Sequence, residues 1–142
     1  MKKPKDTRAA RGLTSALNFN HVLIYVRNLD ASLRFYRDLL GFREVEEIPG
    51  DYARLRSGAG ESTLALHVTK SRATRRPGGV WLYFEVKELQ RLYRSLRAAG
   101  VSFSQPPQRM PWGWIQAFLE DPDGHQLCLY WAGSQRLKAT EP

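Results

Sequence analysis

The sequence predicts an α+β domain built from two βαβββ modules, an internal pseudo-repeat forming a curved mixed sheet around a cleft. Three observations carry the prediction. Slid against itself by 60 positions, the chain places "HVLIYVRNLDASLRFYRDLL" (21–40) over "WLYFEVKELQRLYRSLRAAG" (81–100), with Val26 on Val86, Leu29 on Leu89, Arg34 on Arg94 and Arg37 on Arg97. Both segments open on two-residue alternation and pass into helical spacing. Three further alternating runs, separated by turn residues, follow each of them.

Module one (18–69) opens on a strand at His21. Its helix is expected to be capped by Asp30, with Leu29, Leu33, Tyr36 and Leu40 as the apolar stripe and Gly41 at C′. Strands are expected over 42–48, 52–57 and 62–69, the last two joined by "GAGE". The segment "KSRATRRPGG" (70–79) links the modules. Module two (80–132) opens on a strand at Trp81. Leu89, Leu92, Tyr93, Leu96 and Ala99 form its helical stripe, and Gly100 suits C′. Strands are expected over 101–106, 114–120 and 125–131, the last two joined by "DPDGH". The domain spans 17–132. Residues 1–16 read as a disordered basic tail and 133–142 as a C-terminal tail.

Alternate residues of a strand point to opposite faces. Val22, Ile24 and Val26 oppose His21, Leu23 and Tyr25; Leu64, Leu66 and Val68 oppose Thr63, Ala65, His67 and Thr69. In module two, Leu82, Phe84 and Val86 oppose Trp81, Tyr83 and Glu85; Leu127, Leu129 and Trp131 oppose Gln126, Cys128 and Tyr130. Each strand has one aliphatic face and one mixed face. Four strands are a half-buried sheet rather than a domain, so the mixed faces are expected to line a shared cleft.

The 142 residues are the length of one domain, and the single cysteine excludes an internal disulfide. No apolar run reaches the length of a membrane span and no apolar segment follows the basic N-terminus, so a cytoplasmic location is expected. The net charge of +8 resides in two stretches: Lys2, Lys3, Lys5, Arg8 and Arg11 against Asp6, and Lys70, Arg72, Arg75 and Arg76. Such segments can bind nucleic acid or an anionic surface, which is one alternative function. No aromatic residues interleave the charge, so a solvated tail and a mobile loop are the simpler reading.

The duplicated βαβββ pattern, the "FYRDLLGF" helix end and the late "DPDG" turn resemble the vicinal oxygen chelate superfamily over about residues 18–132. That group includes glyoxalase I, extradiol dioxygenases and the bleomycin- and fosfomycin-resistance proteins. The resemblance implies a metal position lined by His21, Ala65, Trp81 and Cys128. Ala65 has no donor atom, and Trp81 offers only an indole N–H. Three of the four positions therefore depart from the His or Glu expected there, which favours binding over catalysis. An alternative restores one divalent ion on His21, His67 and Cys128, with Glu85 moving protons for a lyase, isomerase or dioxygenase.

Without a metal, the lining is aromatic. Tyr25, Trp81, Tyr83 and Tyr130 come from the strands, Trp112 and Trp114 from "MPWGWIQ", and His21, His67, Glu85, Gln126 and Cys128 complete the expected site. Such walls suit a planar or amphipathic organic ligand. Within the family this is similar to the antibiotic-binding resistance proteins, which the resemblance describes as homodimers with shared aromatic grooves. The basic chain points to a neutral or anionic ligand rather than a cationic one.

Overall fold

Strand alternation separates the chain into two layers of contact, and the computed structural model, which describes residues 20–78 and 80–133, shows both. Module one comprises β1 (His21–Val26), α1 (Leu29–Leu33) running on as a π-helical segment (Arg34–Leu39), β2 (Arg43–Ile48), β3 (Tyr52–Arg56) and β4 (Thr63–Val68). A one-turn helix α2 (Arg72–Arg75) follows. Module two comprises β5 (Trp81–Glu85), α3 (Leu89–Ala98), β6 (Gln108–Arg109), β7 (Ile115–Glu120) and β8 (Gln126–Trp131). The strands form two four-stranded sheets with the same order, β1-β4-β3-β2 and β5-β8-β7-β6. In each, the first strand runs parallel to the last and the helix makes the crossover.

The aliphatic faces behave as the alternation requires. Ile24, Val26, Leu64 and Leu66 of module one and Leu127 and Leu129 of module two belong to one buried cluster, with Val22, Leu82, Phe84 and Val86 packed against it. That single core holds both modules together. Phe42 meets Phe84 edge-on across the module boundary, ring centroids 5.4 Å apart. The mixed faces remain outside this core: Leu23, Ile48, Trp81 and Tyr83 are all exposed.

The modules are also joined by a polar clasp. The Tyr36 hydroxyl donates to Asp121 Oδ2 at 2.8 Å. Asp121 Oδ1 accepts from the backbone N–H groups of Asp123 and His125. Asp123 Oδ1 accepts from the Arg27 N–H, and the His125 ring lies 2.8 Å from the Tyr25 carbonyl. The "DPDGH" turn of module two thus grips the β1–α1 junction of module one.

Several expectations need correction. The cap of α1 is Asn28, whose side chain accepts from the Ala31 N–H; Asp30 lies in the first turn, where a carboxylate favours the helix dipole. The π-helical segment widens the turn, so Phe35 is buried beside Tyr36, although a 3.6-residue period leaves it off the stripe. No strand forms over 101–106. Phe103 makes an isolated bridge to Leu119, and β6 begins only at Gln108, because Pro106 and Pro107 lack the N–H a ladder needs. The 70–79 link contains α2, capped by the Ser71 hydroxyl, rather than loop alone. The expected tail at 1–16 and all of 134–142 lie outside the described residues.

Candidate functional site

Register determines which mixed-face side chains are neighbours, because directly paired residues share a face. Three rows cross module one: His21–Thr63–Arg56, Leu23–Ala65–Arg54 and Tyr25–His67–Tyr52. Three cross module two: Trp81–Gln126–Glu120, Tyr83–Cys128–Phe118 and Glu85–Tyr130–Gln116. The two halves have different chemistry.

Module two presents an aromatic wall. Trp81 meets Phe118 edge-on at 5.6 Å, Tyr83 meets Tyr130 at 5.9 Å, and Trp114 stacks on Tyr130 at 4.7 Å with the planes 12° apart. Trp81 and Tyr83 remain 48% and 51% exposed, so the wall is formed yet open. Trp112 is exposed on the turn between β6 and β7, which is closed by the Gly113 N–H donating to the Met110 carbonyl. Gln126 is engaged at the wall's edge, donating to Glu120 Oε1 at 2.7 Å. Phe118 is a wall residue that the sequence reading missed; its parity with Cys128 was the available signal.

Module one presents polar groups. His67 lies between Tyr25 and Tyr52, with ring centroids 5.8 and 6.0 Å away, and its Nε2 is 3.6 Å from Asp51 Oδ1. At the other end of the sheet, Arg54 reaches His21. Its Nε donates to Thr63 Oγ1 at 2.9 Å, one Nη lies 3.1 Å from His21 Nδ1, and the same nitrogen donates to Asn20 Oδ1. Asn20 Oδ1 is also 2.8 Å from His21 Nδ1. Arg54 was not among the expected site residues, although "YARLR" places it on the same face as Ala65.

The donors proposed for a divalent ion do not assemble. His21 pairs with Thr63 and His67 with Tyr25, four residues further along, which separates them by about 13 Å. Cys128 lies in the other sheet and is fully buried; burial pushes its thiol up to about 12, so it stays protonated rather than ligating as thiolate. Among the described residues, no three His, Cys, Asp or Glu side chains come together as a cation-binding group. The guanidinium beside His21 adds a positive charge where a metal would need donors. This donor set does not fit the metal that the resemblance implies.

A cavity of about 670 Å³ opens between the modules at the edge strands β1 and β5, and most of its lining comes from the aliphatic faces and helices rather than from the mixed faces expected to form the cleft. Val22, Thr63, Leu64 and the 57–60 turn line one side; Trp81, Leu82, Phe84 and Leu129 line the other, with Tyr83 and Glu85 also contributing. Thr63 therefore touches the cavity and accepts from Arg54, and Trp81 belongs to both cavity and wall.

Comparison with known proteins follows the same lines. The family profile of the Glyoxalase/Bleomycin resistance protein/Dioxygenase superfamily matches residues 18–129. Among solved structures, the fold is similar to a member of that superfamily from Sphaerobacter thermophilus, with a TM-score of 0.71, 25% identity, and 82% of this chain and 98% of that one covered. It is similar to lactoylglutathione lyase from Agrobacterium tumefaciens, with a TM-score of 0.66, 20% identity, and 80% and 92% covered. It is also similar to TioX from Micromonospora, with a TM-score of 0.65, 21% identity, and 81% and 98% covered. No curated protein matches the sequence.

Proposed function

The chain belongs to the glyoxalase/bleomycin resistance protein/dioxygenase superfamily, and from that premise we propose that it is a small-molecule binding protein. Its ligand is organic, aromatic or amphipathic, and binds at the aromatic wall without a metal. The observation that carries this reading is the half-exposed pair Trp81 and Tyr83, continuous with the Trp114–Tyr130 stack. Large rings left open on the mixed face supply stacking area at little cost in side-chain entropy. The metal-dependent alternative draws no support from the donor set around His21. The reading includes a homodimer in which a second copy covers the open mixed faces, and a cytoplasmic location. No helix among the described residues is long and apolar enough to cross a membrane.

The test is calorimetric titration with a panel of planar aromatic compounds, with metal content measured by elemental analysis on the same samples. Wild type is expected to bind without stoichiometric metal, and Trp81→Ala to lose at least about tenfold in affinity with an unchanged circular dichroism spectrum. Unchanged affinity in that variant would remove the aromatic wall from the reading. One equivalent of metal per chain, lost on changing His21 to Ala, would overturn the metal-free part.

A further inference from the structure

We infer that Arg54, with His21, Thr63 and Arg56, recognises an anionic group on the ligand (a carboxylate, sulfonate or phosphate), so that a fixed guanidinium stands where the resemblance implies a metal. The inference rests on the binding function proposed above and names the ligand chemistry of that site.

Placement is the first argument. Arg54 pairs across the sheet with Ala65, whose methyl side chain leaves room on the mixed face. The guanidinium extends over that small residue to His21 and Thr63, and three side chains fix its orientation. Nε and one Nη are engaged in this way, which holds the other Nη in place to meet an oxyanion with less side-chain entropy lost on binding.

Charge is the second. Arg54 and Arg56 are two residues apart on one strand and so share a face. Arg43 stands directly opposite Arg56 on the neighbouring strand. Like charges in directly opposed positions disfavour a sheet. Glu46, opposite Arg54, is the nearest carboxylate in the register. Among the described residues no carboxylate forms an ion pair with Arg54 or Arg56. Arg37, by contrast, lies 2.8 Å from Asp38 and 2.6 Å from Glu44. An oriented guanidinium without a carboxylate partner, with a second arginine on the same face and the exposed Leu23 beside it, is the arrangement an anionic head group with an apolar body would use.

The probes are a matched pair of fluorescent dyes, anilinonaphthalene sulfonate and its uncharged analogue phenylnaphthylamine. Both carry the same fused ring, and only one carries an anion. Wild type is expected to prefer the sulfonate. Arg54→Gln is expected to weaken the sulfonate about tenfold or more, the usual worth of a charge-assisted contact, while leaving the neutral dye unchanged. Arg54→Lys keeps the charge without the fork and is expected to fall between. Arg91→Gln removes an equal charge on the exposed face of α3 and is expected to change neither, which excludes a general effect of net charge. Equal affinities for both dyes in wild type, or an unchanged preference in Arg54→Gln with the melting temperature preserved, would overturn this inference and leave the aromatic site standing. If wild type bound neither dye, the aromatic site itself would fall.

Discussion

The Asp121 carboxylate accepts three hydrogen bonds in the joint between the modules, where only 5% of the residue is exposed. Burial pushes its pKa above 3.8, more than His125, the backbone donors and the Tyr36 hydroxyl pull it down. The same burial, with the carboxylate beside it, pushes the Tyr36 phenol well above its ordinary value. The sign for Asp121 is that of a raised carboxylate. The folded chain holds this proton more tightly than the unfolded one, so its contribution to stability is fully present below the ordinary value. It is lost as pH rises through the raised one. Asp121→Asn keeps an acceptor oxygen for the turn amides and does not titrate. The stability of wild type relative to this variant is therefore expected to grow as pH falls from neutral into the carboxylate range. Urea unfolding of both proteins across that range measures it. A gap that does not change with pH would mean that the joint does not feel the charge.

At the scale of elements, the late turn acts as a part rather than a connection. Gly124 sits at φ +86°, and a Cβ there would lie 3.4 Å from Pro77 Cγ, so the linker between the modules packs on the turn that clasps them. Gly124→Ala adds backbone strain and a tight contact, and is expected to cost about 1–2 kcal/mol. Gly58→Ala, at ordinary φ and in open space, is expected to be close to neutral. Equal melting temperatures for the two variants would show that the turn tolerates a side chain. The strands beside the site, β1, β4, β5 and β8, were legible to within a residue because burying one face forces a period of two. The π-helical segment was not, since a 3.6-residue stripe already accounted for Leu33 and Tyr36 and nothing local marks the wider turn that also buries Phe35. The missing strand at 101–106 was legible in principle, because "PP" has no N–H to donate. Arg54 and Phe118 carried the same parity signal as the residues that were named. They lie on inner strands, whereas the resemblance places ligand positions on the first and last strands of each module.

For the whole molecule, parity says which face of each sheet is aliphatic but not what the other face meets. The same alternation suits mixed faces that oppose each other within one chain and mixed faces closed by a second copy. The structure puts the aliphatic faces of both modules into one core and leaves Leu23, Ile48, Trp81 and Tyr83 exposed on the mixed faces. Large apolar side chains left open on sheet faces mark an interaction surface. A twofold dimer would cover the basic, polar face of one module with the aromatic face of its counterpart, and the ligand would contact both copies. Sedimentation equilibrium is expected to give twice the chain mass. Leu23→Asp places a charge in the centre of module one's mixed face, beside Ala65, and is expected to shift the equilibrium to monomer without unfolding the core behind it. Ligand affinity should fall together with dimerisation if the site is shared. A Leu23→Asp monomer that binds as tightly as wild type would place the whole site within one chain.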